Sequence, residues 1–187
     1  MNFDAFSHGQ IHSKLWLCEE LERYTKVNSR IWILGSWYNL LAFMLHIRKP
    51  DYYSSIIGYD IDYHSKEVSD KLCNAWTIYN PISVQNIIAN GNELDWSNPP
   101  DIVINCSVEH FSDNTWFDSI PIGTLVCIQS TNIEDLNEPW LIKQPIPTIN
   151  DFKSKFILST QLMIGIKPIQ LNKKGKFYER YMKIGYK

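Results

Sequence analysis

No stretch of this chain stays apolar for the roughly 18 residues that a bilayer crossing requires, so no membrane-spanning helix is expected. Met1 to His8 carries neither a basic region nor a signal-peptide core, which makes the cytoplasm the expected compartment. No cysteine pair has C-x-x-C spacing. Cys18, Cys73, Cys106 and Cys127 are far apart, which argues against structural zinc and a disulfide framework and for free thiols. Charge of one sign is scarce too. A net charge of −2 leaves no basic excess to imply nucleic-acid binding. There are no internal repeats and no low-complexity tracts.

What is present is an ordinary globular composition, 44% hydrophobic and 20% charged over 187 residues, enough for one domain with a sizeable core. Apolar periodicity alternates between strands and helices. Gln10 to Tyr24 reads as an amphipathic helix, capped by Ser7 or Ser13. Arg30 to Leu34 is a short apolar strand, and Tyr38 to Ile47 a helix ended by Arg48, Lys49 and Pro50. Ile56 to Tyr59 is a strand and His64 to Trp76 a helix with Val68, Leu72, Cys73 and Trp76 on one face. Ile82 to Ile88 reads as a strand or as a short helix leading into one. Asp101 to Asn105 is a buried strand, Glu109 to Phe117 a helix, and Gly123 to Gln129 another buried strand. A loop covers 131 to 147. Thr148 caps a short helix from Ile149 to Phe156. Two strand-like runs, Phe156 to Ile166 and Phe177 to Tyr186, close the chain around the turn Asn172 to Lys176.

Alternation of this kind predicts an α/β fold: a Rossmann-like, three-layer sandwich around a mostly parallel sheet. The final hairpin forces at least one antiparallel strand. One pairing carries chemistry. The strand from Arg30 ends in the turn Gly35-Ser36-Trp37, and the strand from Ile56 ends in Asp60. A glycine turn brings backbone close to a ligand, and a carboxylate accepts hydrogen bonds from both hydroxyls of a ribose.

The order and spacing of these segments, from about residue 9 to the end, resemble the class I S-adenosylmethionine-dependent methyltransferases, whose seven-stranded sheet ends in an antiparallel hairpin strand. The resemblance implies a single domain over 1–187, with 1–29 as an N-terminal helical lid and 30–187 as the sheet core. It implies S-adenosyl-L-methionine as cofactor. Gly35 matches one glycine of the family's G-x-G-x-G turn, while Leu34 stands where an acid is common and Trp37 replaces the second glycine. Ser36 and Trp37 belong to the same turn. Asp60 would bind the ribose, with Ile61 against the adenine. Gly91 to Trp96 resembles the family's G-D-A-x-x-L segment, which places Asn92 and Glu93 near the adenine edge. Asn105, Cys106 and Ser107, followed by Glu109 and His110, resemble the strand and x-x-L-E-H segment of small-molecule methyltransferases. By position, Gly9, Gln10 and Lys14 would belong to the lid.

Each assignment has a plainer competitor. Gly35 serves any strand-to-helix turn, Asp60 and Asp62 serve as helix caps, and Asn92 belongs in any polar loop. His110 is the candidate general base, with Glu109 beside it, because histidine exchanges a proton near neutral pH. The pair would equally pin the next helix. Cys106 lacks the preceding proline of the C5-cytosine enzymes and reads as a small residue at a strand end rather than a nucleophile. Asn105-Cys-Ser-Val lacks the N-P-P-Y segment of adenosine N-methyltransferases. His8 and His12 have H-x-x-x-H spacing, but Gln10 stands where a zinc protease needs glutamate, so no metal site is expected. Lys167, Lys173, Lys174 and Lys176 fit a solvated hairpin tip better than a phosphate site. Of the seven tryptophans, Trp37 and Trp116 are candidates for an acceptor pocket. The expected function is methyl transfer to a small-molecule acceptor. Alternatives are another S-adenosylmethionine-using enzyme (an aminocarboxypropyl transferase or a lyase) and a non-catalytic binding or scaffold protein of the same fold. The acceptor and the oligomeric state are not legible.

Overall fold

The computed structural model describes residues 3–77, 84–133, 141–170 and 177–187. Ile82, Trp140, the basic turn at Lys173 to Lys176 and the side chain of Trp76 lie outside these described residues. Seven strands form one sheet: β1 Ser29–Leu34, β2 Tyr53–Asp60, β3 Val84–Ile88, β4 Ile102–Asn105, β5 Leu125–Thr131, β6 Thr160–Gln170 and β7 Phe177–Tyr186. Their order is β3-β2-β1-β4-β5-β7-β6. Strands β1 to β5 run parallel, and β7 enters antiparallel between β5 and β6. The α/β sandwich with a C-terminal antiparallel hairpin is therefore the fold. No helix among the described residues is long and apolar enough to cross a membrane.

The two faces of the sheet are covered differently. Helices α1 His8–Leu21, α2 Leu40–Arg48 and α3 Tyr63–Thr77 pack one face. There Trp16, Leu17 and Leu21 of α1 and Leu41 and Leu45 of α2 meet Ile31, Ile33, Ile56, Ile102 and Ile104 of the strands. The other face has only the short helices α4 Thr115–Asp118 and α5 Ile149–Lys155 among the described residues. Aromatic rings do most of the covering there. Trp32 lies 5.1 Å from Tyr59 and 5.2 Å from Trp96, and Trp116, Phe117, Phe152, Phe156 and Tyr181 form a contiguous aromatic cluster. Aromatic side chains each bury on the order of 200 Å², so a few rings cover sheet that helices would otherwise cover.

Several boundaries differ from expectation for identifiable reasons. Ser7, not Ser13, caps α1, its Oγ accepting from the Gln10 N–H at 3.4 Å. Ser13 is buried instead and donates to Gln129 Oε1 of β5 at 2.9 Å, while Gln129 Nε2 donates back to the Ser13 carbonyl at 3.1 Å. The helix expected over Glu109 to Phe117 is broken into a 3-10 turn, Val108–His110, and the single-turn α4. Between them Ser112 donates to Asp113, and Asp113 Oδ1 accepts from the Thr115 N–H at 2.9 Å. Short polar side chains that bond the local backbone compete with helix continuation. Thr148 and Asp151 form the capping box of α5. Phe156, expected to open a strand, is fully buried beside α5, and β6 starts at Thr160. It then runs beyond Ile166 through Pro168, which an edge strand tolerates because one side needs no donor. Gly123, expected in β5, precedes it in a turn at φ 90°.

Candidate functional site

Register builds the site. Leu34, the last residue of β1, pairs with Tyr59 of β2 on one side and with Asn105 of β4 on the other. The next residue on each strand is therefore level with the others: Gly35, Asp60 and Cys106. This row lies at the carboxyl ends of the parallel strands, where chain connections diverge and open α/β sheets hold ligands.

Gly35 adopts φ 62°, so the turn uses glycine's freedom, and a Cβ there would collide with Ser107 Oγ. Trp37 and Asn39 are also left-handed, at φ 51° and 57°. A buried polar lattice holds this unusual turn. Ser36 Oγ donates to Asn86 Oδ1 at 3.0 Å, Asn86 Nδ2 donates to the Trp37 carbonyl at 3.3 Å, and Asn39 Nδ2 donates to the Gln85 carbonyl at 3.1 Å. The Ser36 hydroxyl is thus committed inward. The Trp37 ring lies on Tyr38 with centroids 5.2 Å apart.

The Trp37 N–H donates to Asp60 Oδ2 at 2.7 Å, and the Asp62 N–H donates to Asp60 Oδ1 at 3.0 Å. Peptide N–H groups reach both oxygens, and the Ile61 N–H acts on the carboxylate as well, so the backbone fixes its position. Burial raises the Asp60 carboxyl above its ordinary value, and the bonds from Asp62 and Trp37 pull it back. Ile61 beside it is 73% exposed. Asp62 caps α3, accepting from the His64 N–H and from Ser65 Oγ, and the Ser65 bond holds its carboxyl below the usual range.

Asn92 is engaged elsewhere. Its Oδ1 accepts from the Trp116 N–H at 3.0 Å, which ties the 91–93 turn to α4, and its Nδ2 donates to Ser112. Glu93 accepts from Asn90 Nδ2 at 2.7 Å at the surface. Phe111 fills the space between turns. Its ring would lie 3.3 Å from a Cβ at Gly35 and 2.7 Å from one at Gly91. Trp116, expected near an acceptor pocket, is fully buried in the aromatic cluster instead. Its apolar neighbours Phe111, Phe117 and Phe156 claim the ring for the core.

Asn105 is wholly buried. Its Oδ1 accepts from the Ser107 N–H at 3.0 Å, while its Nδ2 has no acceptor among the described residues. Ser107 Oγ reaches the Gly35 carbonyl at 3.4 Å. Burial pushes the Cys106 thiol up to about 11, although Lys14 and Arg180 pull it down, so it is protonated at neutral pH. The 3-10 turn sends its two ionisable side chains in different directions. Glu109 is buried, accepting from Ser130 Oγ at 3.1 Å and facing Arg180 Nη1 at 3.6 Å. His110 is exposed, with Nδ1 2.8 Å from the Leu141 carbonyl. A carbonyl can only accept, so Nδ1 carries a proton, and in the neutral ring Nε2 is the nitrogen with the free lone pair.

Over the β4, β5 and β7 ends lies α1. Gly9 abuts the Tyr178 hydroxyl, and Lys14 Nζ donates to Gln10 Oε1 at 2.6 Å. Sequence reading missed Arg180, Tyr178 and Phe111. Arg180 had a signal: it shares strand parity with Met182 and Ile184, both buried under α1. His8 and His12 stack at 4.0 Å, and among the described residues no three His, Cys, Asp or Glu groups gather as a metal site would need. A depression of about 540 Å³ opens at the opposite edge, between Thr25, Asn28, Pro100, Asp101 and Ile122. Its charged groups satisfy one another: the Arg30 N–H donates to Asp101 Oδ2, and its guanidinium to Asn98 and the Pro99 carbonyl.

No protein-family model matches the chain, and no curated protein matches it. Solved structures do. The YcgJ protein of Bacillus subtilis superposes with a TM-score of 0.69 at 12% identity, covering 95% of this chain and 98% of that one. Coclaurine N-methyltransferase, solved with N-methylheliamine and SAH, gives 0.67 at 10% identity over 95% of this chain and 73% of that one. A SAM-dependent methyltransferase from Aquifex aeolicus gives 0.57 at 11% identity over 90% and 88%. Strand order, the antiparallel hairpin and these likenesses agree: the chain has the fold of the class I S-adenosylmethionine-dependent methyltransferases.

Proposed function

We propose that this protein binds S-adenosyl-L-methionine at the ends of β1, β2 and β4 and transfers its methyl group to a small-molecule acceptor. The observation that carries the reading is Asp60, a half-buried carboxylate fixed by peptide N–H groups beside the left-handed Gly35 turn, level with the ends of β1 and β4. The residues fit the nucleoside: Asp60 for the ribose diol and exposed Ile61 as an apolar surface for the base.

Bound there, the sulfonium compound supplies an activated methyl group. The protein's share is orientation and proton handling. Asp60 fixes the nucleoside end, and Gly35 lets backbone lie against it. His110, held through Nδ1 on the Leu141 carbonyl, presents Nε2 as the base for an acceptor that must lose a proton. Cys106 stays a thiol and takes no covalent part.

Calorimetric titration with S-adenosylmethionine and S-adenosylhomocysteine tests the reading. Micromolar binding of both is expected. No heat from a folded sample would sink it. Product analysis separates the chemistries, because methyl transfer leaves S-adenosylhomocysteine whereas aminocarboxypropyl transfer and lysis leave methylthioadenosine.

A further inference from the structure

His110 is exposed, yet the turn that carries it is clasped by a second segment. That segment, 141–147, is anchored at its far end. Ile146 is buried in the aromatic cluster, and the Tyr181 hydroxyl donates to the Pro147 carbonyl at 3.1 Å. Its near end lies along the Val108–His110 turn. The N–H groups of Lys143 and Gln144 both donate to the Glu109 carbonyl, at 2.8 and 3.0 Å. The Gln144 side chain reaches further, its Nε2 donating to the Phe111 carbonyl at 2.9 Å. Gln144 alone therefore holds the carbonyls on both sides of His110. The next contact along the segment is the Leu141 carbonyl against His110 Nδ1 at 2.8 Å.

The turn is also held from within. The Glu109 carboxylate is buried and accepts from Ser130 Oγ, the Phe111 ring lies 5.7 Å from that of buried Trp116, and the His110 N–H donates to the Ser107 carbonyl at 3.0 Å. Only the imidazole itself is left to be fixed. An exposed side chain ordinarily hops between rotamers within nanoseconds, and a neutral imidazole in water favours the Nε2–H form. A carbonyl on Nδ1 reverses that preference and stops the ring. Leu141 is itself exposed, so its carbonyl stays in place only as far as the clasp holds it there. The clasp needs a donor at 144, because the Phe111 carbonyl can only accept.

We infer that Gln144 is a positioning residue for His110. It bridges the Glu109 and Phe111 carbonyls, keeps the Leu141 carbonyl on Nδ1, and so leaves Nε2 as the nitrogen that takes a proton. This rests on the proposed role of His110 as base, and the two can fail separately.

Nitrogen NMR of protein labelled with 15N-histidine tests it. At about pH 9 the histidines are neutral, and the spectrum reads the tautomer of each ring without cofactor or acceptor. His110→Gln identifies the His110 signals among the five histidines. Wild-type His110 is expected mainly in the Nδ1–H form. Gln144→Glu and Gln144→Met keep the length of the side chain and lose its donor. Both should return His110 to the Nε2–H form while His8, His12, His46 and His64 keep their wild-type signals. A general loss of structure would move all five, so the four bystanders separate positioning from unfolding. Gln144 is only half-buried, and the second variant carries no charge, so one of the two remains usable if the other fails to fold. It is overturned if wild-type His110 is mainly Nε2–H, or if His110 keeps the Nδ1–H form in a folded variant. Absence of cofactor heat in the calorimetry would sink the function reading and leave the nitrogen spectrum as it is.

Discussion

The two halves of the carboxyl edge are built on different principles. The half proposed to hold the nucleoside uses Gly35, Trp37, Asp60 and Asp62, close together in sequence, and its carboxylate is held by peptide N–H groups. The other half joins Lys14, the Cys106 to Glu109 stretch and Arg180 from three distant segments, and Glu109 and Arg180 face one another at 3.6 Å. A carboxylate fixed by backbone costs the fold little when it is removed. A charge fixed by another buried charge leaves its partner stranded. The binding role proposed for the first half is therefore separable from stability, whereas removal of a charge from the second bears on the fold directly.

The largest effect that would break this contrast is expected at Arg180. Arg180→Met strands Glu109 and should cost about 3 kcal/mol in urea denaturation; a loss under about 1 kcal/mol would show that the pair is solvated. Next comes Gly58, where the turn crosses β2. A Cβ there would lie 2.6 Å from Asn39 Oδ1 and 2.7 Å from Ser36 Oγ. Gly58→Ala should destabilise by about 2 kcal/mol and disturb the lattice under Trp37, read as a lower denaturation midpoint together with weaker S-adenosylhomocysteine binding. Asp60→Ala should weaken that ligand by about 1–3 kcal/mol while moving stability by less than about 1 kcal/mol. Unchanged affinity in a folded variant would remove Asp60 from the site.

A separate expected effect is a pH dependence from Lys14. Between about 8 and 10.5 the unfolded chain keeps a proton that folded Lys14 has released, so stability rises with pH across that window. Below it the full penalty of the buried ammonium is present. Lys155, Lys183 and Lys187 are also lowered by burial and act in the same direction. The informative quantity is thus the difference between wild type and Lys14→Met, which should favour the variant near pH 7 and shrink above pH 8.

The sheet was legible in the sequence because each strand is a local apolar run, and Gly35 and Asp60 because each ends one. The Glu109 to Phe117 segment misled because its apolar spacing suits a helix while Ser112 and Asp113 stop it. The bonds from Asn92 to the Trp116 N–H and from Ser36 to Asn86 were not legible, because both join residues brought together only by the tertiary fold. Arg180 was legible only by strand parity, and its meeting with Glu109 is a product of tertiary packing that no local pattern encodes.

The aromatic covering of the second face also has an optical consequence. Far-ultraviolet circular dichroism follows the helices, most of which lie on the α1, α2 and α3 face. The Trp32 and Trp96 indoles, 5.2 Å apart and tilted by 42°, sit on the other face with buried Trp116, and buried Trp16 lies on the first face. Near-ultraviolet ellipticity, which depends on fixed packing, therefore reports on both faces, and replacing Trp32 or Trp16 would assign the part that comes from each.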